Sequence, residues 1–148
     1  MSTRAAARLA WSVCALVLTL NACAVVLAVL NGADVEAISF SLALTASPLV
    51  GGLVASRRPE NPIGWFFLGA AACFALTQVA AGYVTYGLAG ARTMAWPVGW
   101  LWVPGIMLLL VFVPLYFPNG RLVAPRWRWL VRLALVFCVG ATNGPLRI

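Results

Sequence analysis

Residues 9–30, 37–55, 63–88 and 98–117 form four apolar runs, each close to the length of a membrane crossing and carrying hardly any charge. About 20 helical residues are needed to cross a hydrocarbon core roughly 30 Å thick. The expected fold class is therefore all-α, a polytopic transmembrane helix bundle of four full spans within a single integral-membrane domain, 1–148. Composition points the same way. Of 148 residues, 64% are hydrophobic and 9% charged, too few charges to cover a soluble core of that size.

The residue types that are missing exclude several kinds of chemistry. The chain has no histidine and no lysine. That removes Ser/His/Asp and Cys/His arrangements, imidazole metal ligands, Schiff bases and phosphate-loop lysines. Cys14, Cys23, Cys73 and Cys138 stand singly in apolar runs with no CxxC pair, which reads as buried free thiols acting as small hydrophobes. No enzyme, no cofactor and no metal is expected. A net charge of +7 raises nucleic acid as a partner, but the arginines sit in short joints between apolar runs rather than on a folded basic face. Membrane orientation explains them better.

With the N-terminus cytoplasmic, Arg4, Arg8, Arg57, Arg58, Arg121, Arg126 and Arg128 all fall on the inner side, and Arg132 lies one turn beyond. The outer joints then hold Arg92, Asp34 and Glu36, with Arg92 as the only charge in the Gly-rich joint after the third span. Aromatic residues, which favour the two interfaces, agree: Trp11, Trp65, Tyr116, Trp127 and Trp129 fall at the inner ends, and Tyr83, Tyr86, Trp96, Trp100 and Trp102 at the outer ends. The expected surroundings are a bacterial plasma membrane, with anionic headgroups against the inner arginines. "LNAC" at residues 20–23 loosely resembles a lipoprotein cleavage box, but the apolar run continues through it and three more follow.

Within the spans, Pro48, Pro104 and Pro114 predict kinks. Small residues recur every fourth position on the second span (Ala43, Ser47, Gly51, Ala55) and on the third (Gly69, Cys73, Thr77, Ala81), and the expectation is that these two faces pack as a hairpin. Asn21 and Gln78 lie deep in apolar sequence at comparable depth, where they can hydrogen-bond across spans one and three. No acidic or basic residue lies at mid-membrane, so no proton relay, voltage sensor or ion path is evident, which argues against a pump or coupled transporter. A shorter run, 130–142, is too short to cross alone and ends in "NGPLRI", so it is expected as a partial fifth span.

The two inner joints carry the strongest motifs. "ASRRPENPIGW" after the second span supplies Arg57, Arg58, Pro59, Asn61, Pro62, Gly64 and Trp65, and "FPNGRLVAPRW" after the fourth supplies Pro118, Asn119, Gly120, Arg121 and Trp127. Together, over about Val50 to Leu130, they resemble the N-terminal multi-span region of a group of actinobacterial sensor histidine kinases and related uncharacterised membrane proteins. The resemblance implies architecture, not catalysis. In that family further helices lead to a phospho-accepting histidine and an ATP-binding domain, whereas this chain has no histidine and no Gly-rich nucleotide segment. The short fifth run, and the sixth span that is missing, would then mark a truncated or frameshifted relative. The expected function is a non-catalytic sensory input module, with a homodimer or another membrane protein as possible partner. The alternatives are a small transporter or channel subunit, or a gene product with no independent function.

Overall fold

A computed structural model describes residues 3–117 and, beyond them, Trp129, Arg132, Leu133, Val136, Val139 and Gly140. The second inner joint (Pro118, Asn119, Gly120, Arg121, Trp127) and the body of the run 130–142 lie outside the described residues. The elements are helical throughout the described part: α1 Thr3–Leu30, α2 Val35–Ala43, α3 Ala46–Arg57, α4 Pro62–Tyr86, α5 Ala91–Trp100, α6 Trp102–Met107, a π-helical turn Leu108–Phe112, and α7 Val113–Tyr116. They group into four helices long and apolar enough to cross a membrane: Thr3–Leu30, Val35–Arg57, Pro62–Tyr86 and Ala91–Tyr116.

What lies inside this bundle is small, and what lies outside is large. Ala10, Cys14, Ala55 and Leu68 form one buried cluster, and Val17, Ala71 and Ala75 another. Leu16, Val26, Phe40, Leu53 and Leu110 point outward. In water that arrangement would be inverted. In lipid it is expected, because outward leucines lose nothing among acyl chains and small inward residues let helix backbones approach. α4 is the central helix: it packs against α1, α3 and the whole fourth span, while α1 also packs on α3.

Both interruptions inside spans, and the π turn, lie just ahead of a proline. A proline lacks the N–H that would bond the carbonyl four residues earlier. Span two breaks at Leu44 and Thr45, before the buried Pro48. Span four breaks at Leu101, before Pro104, and widens into the π turn Leu108–Phe112 before Pro114. The kinks therefore fall about one turn ahead of the prolines expected to cause them. Pro48→Ala restores the missing donor, and amide hydrogen exchange at Thr45 and Ala46 is expected to slow by about tenfold as α2 and α3 join; unchanged exchange would assign the break to packing instead.

The fourth span begins earlier than residue 98. Gly87 and Gly90 both adopt positive φ, 74° and 83°, which confines the joint to residues 87–90, and α5 starts at Ala91 with Arg92 in its first turn. Pro97 is accommodated inside α5. Polar residues and a proline hid a helix start that two left-handed glycines define.

The hairpin of spans two and three forms, but with a different face of span three. Ser47, Gly51 and Ala55 do meet α4: the Ser47 hydroxyl reaches the Phe67 carbonyl at 3.4 Å, Gly51 lies against Leu68 and Phe67, and Ala55 against Gly64. Gly69 and Cys73, expected on that same interface, face the fourth span, Gly69 against Leu108 and Cys73 against Gly105. The reason is that α4 is contacted from several sides, so its small residues are divided among its neighbours.

Candidate functional site

Two features stand at opposite ends of α4. At its N-terminal end is the elbow "SRRPENPIGW", residues 56–65. α3 ends at Arg57, whose charge suits the negative end of the helix dipole, and Arg57, Arg58 and Glu60 are exposed. Pro62 opens α4, where its missing N–H costs nothing. The Asn61 side-chain oxygen accepts from the Ile63 N–H at 3.0 Å, and the Trp65 indole donates to the Pro59 carbonyl at 3.2 Å. Gly64 completes the turn by letting the backbone of Ala55 come so near that a Cβ would stand 2.5 Å from the Ala55 nitrogen. Pro59, Asn61, Pro62, Gly64 and Trp65 thus act together as one joint; Arg58 joins it through its carbonyl, which accepts from the Asn61 N–H at 2.9 Å, while the Arg57 and Arg58 side chains are left exposed. Trp65→Phe, which deletes the indole donor and trims a ring packed against the Ala10–Ala55–Leu68 cluster, is expected to lower stability by at least about 1 kcal/mol in thermal unfolding, and Asn61→Ala by about 1 kcal/mol through the lost cap. Neither change having an effect would mean that the joint is held by Gly64 alone.

At the far end of α4, a cleft of about 440 Å³ opens between α1, α2 and α4. The floor and walls are mostly small: Ala24 and Ala28 from α1, Ala37 from α2, Ala81 and Gly82 from α4. Set among them are Asn31, Ser41, Thr77, Gln78 and Thr85, with Phe40 at one side. No ionisable side chain lines it among the described residues.

The hydrogen bonds inside this cleft are incomplete. Asn31 Nδ2 donates to the Gly82 carbonyl at 3.0 Å, tying the end of α1 to α4. Thr77 and Thr85 donate to the carbonyls one turn back, Cys73 at 2.8 Å and Ala81 at 3.0 Å. The Ser41 hydroxyl, only 4% exposed, lies 3.1 Å from the Ala37 carbonyl and 3.0 Å from Gln78 Oε1. Having one proton, it serves one of these acceptors at a time. Gln78 Nε2 is buried with no partner, and so are both polar atoms of Asn21, which is 2% exposed.

Asn21 and Gln78 are brought to the same level, yet they do not bond to each other. Gly82 lies against Leu27, so Gln78, one turn earlier, is level with Cys23 and within a turn of Asn21. The Gln78 carbonyl pairs instead with Ser41 of the second span. Proximity along two parallel helices did not decide the partner; side-chain direction did. Ser41 and Asn31 were not expected at this site, although the Thr77, Ala81, Thr85 spacing places two hydroxyls on one face of α4 next to Gln78.

Aromatic packing marks both ends. Phe66 of α4 contacts Phe112 and Tyr116 with ring centroids 5.7 and 5.4 Å apart, closing span four onto the elbow end. Trp96 and Trp100 stack edge to face at 5.0 Å near the start of span four. Comparison with family models, with curated proteins and with solved structures finds no match for this chain.

Proposed function

We propose that this chain is a non-catalytic multi-pass membrane module of the sensory-input kind, similar in role to the membrane half of a two-component histidine kinase. It sits in a bacterial plasma membrane with its N-terminus and the elbow on the cytoplasmic side, where Arg4, Arg8, Arg57 and Arg58 meet anionic headgroups. The observation that carries this reading is the placement of an uncharged polar cleft and a hydrogen-bonded elbow at opposite ends of the same helix, α4. Between them span two is broken at Leu44–Thr45, so a change at the cleft can move α2 without moving α3 in step. Movement relative to α4 is then what a partner, a second copy or another membrane protein, would read.

Two measurements test it. Single cysteines placed at Glu60 and Ala89 are expected to react with a membrane-impermeant maleimide from the cytoplasmic and the outer side respectively; the opposite result overturns the orientation. Purified protein in nanodiscs with γ-labelled ATP is expected to retain no label, and incorporation would end the non-catalytic reading.

A second reading is favoured by the broken fourth span. A break and a π turn, each ahead of a proline and packed on α4, are features of helices that line cavities in transporters. Liposome flux of small solutes above background, abolished by Gly105→Leu at the α6–α4 contact, would favour transport over sensing.

A further inference from the structure

We propose that the cleft between α1, α2 and α4 is a binding site for an uncharged amphiphile whose head group both donates and accepts a hydrogen bond, an alcohol or an amide on an apolar body. The inference goes beyond the sensory reading and holds whichever partner the module serves.

The chemistry of the cleft selects the ligand. Gln78 Nε2 is a buried donor with no acceptor. Thr77 and Thr85 have spent their protons on backbone carbonyls, so what they offer the cleft is oxygen lone pairs. Ser41 divides its proton between two acceptors and keeps one of them short. A hydroxyl or amide satisfies both needs at once, accepting from Gln78 and donating to an oxygen of Ser41 or Thr77. A pure acceptor or a hydrocarbon would satisfy only part of this set or none.

Below the cleft, Asn21 shares its helix face with Ala24 and Ala28, which line it. Both polar atoms of that side chain are also without a partner. A buried donor or acceptor left unsatisfied costs about 1–3 kcal/mol, and the absence of water inside a bilayer makes it dearer. Two such amides at one level of a bundle whose buried residues are otherwise mostly small and apolar mark a place where a polar group is received.

Charge and size narrow the class. No ionisable side chain lines the cleft among the described residues, so a carboxylate or an ammonium would enter with no counter-charge. A volume of about 440 Å³ falls within the range of small-molecule pockets. Walls of alanine and glycine on helices that cross the membrane suit an apolar body that arrives by partitioning into lipid.

The test uses the full chain in nanodiscs of phosphatidylcholine and phosphatidylglycerol, photolabelled with a diazirine-bearing octanol and read by peptide mass spectrometry. Adducts are expected to concentrate on Phe40, Ser41, Gln78 and their neighbours. Excess octanamide should reduce them about tenfold, whereas octane or octanoate at the same membrane mole fraction should leave them. Gln78→Leu and Ser41→Ala should each weaken labelling about fivefold to tenfold, and Ala28→Leu should abolish it by filling the cleft. Thr19→Val, on an exposed face of α1, should not change it. Ser41→Ala removes a single oxygen, so it keeps the test decisive if Gln78→Leu does not fold. Adducts spread evenly over lipid-facing residues, equal competition by octane, or indifference to Ser41→Ala would overturn the site and leave a cleft that holds only water.

Discussion

Gly64→Ala is expected to destabilise the bundle by about 3 kcal/mol, while the same substitution at Gly99 stabilises it by about 0.5–1 kcal/mol. At Gly64 a methyl group would stand 2.5 Å from the Ala55 nitrogen, 2.9 Å from its Cα and 3.0 Å from its Cβ. The two nearest of these are backbone atoms, with no flexible side chain able to swing away. To reach ordinary contact, α3 and α4 must separate by roughly 1 Å along the stretch where their backbones are closest, and packed interiors do not accommodate such a change cheaply. Gly99 lies in α5 with nothing within 4 Å of the added carbon, so alanine there simply removes a flexible residue from a helix. Both variants are measured by thermal unfolding in the same lipid nanodiscs. If they shift alike, the close approach at the elbow does not hold spans two and three together.

The second large effect is at Asn21. Replacing it with valine is expected to stabilise the ligand-free protein by about 1–3 kcal/mol, because the native amide is 2% exposed and neither of its polar atoms has a partner. Most substitutions at fully buried positions destabilise, so a gain here would be diagnostic of a residue kept for something other than stability. The same variant should weaken labelling of the cleft by the octanol probe. A loss of stability instead would show that Asn21 is already satisfied when the cleft is empty of ligand, and its place in the binding site would then have to be given up.

These two positions also show how unevenly the molecule could be read from its residues. Gly64 belongs to a motif whose prolines, asparagine and tryptophan are informative by their local chemistry: a cap, a helix start, an indole within reach of a carbonyl six residues back. Asn21 stands out as a lone polar residue in an apolar run, which is visible, but its natural partner by depth, Gln78, turned out to bond to Ser41. Likewise the small residues of span three were visible as a row, yet Gly69 and Cys73 serve the fourth span and Gly64 and Leu68 serve the second.

The sequence by itself determined the properties that are local along the chain. Four apolar lengths specify four crossings, prolines specify where span two breaks and where span four breaks and widens, and the proline- and asparagine-rich elbow specifies the tight joint between spans two and three. Only the tertiary structure decided which faces meet and which polar groups find partners. In lipid no helix face is driven inward by hydrophobicity, since a leucine is as well placed among acyl chains as among other helices. Pairing is therefore settled by how closely backbones fit and by which side chains reach one another across α1, α2 and α4. Those are relations of three-dimensional register, and from them come the cleft between α1, α2 and α4, the Ser41–Gln78 contact within it and the unpartnered Asn21 below it.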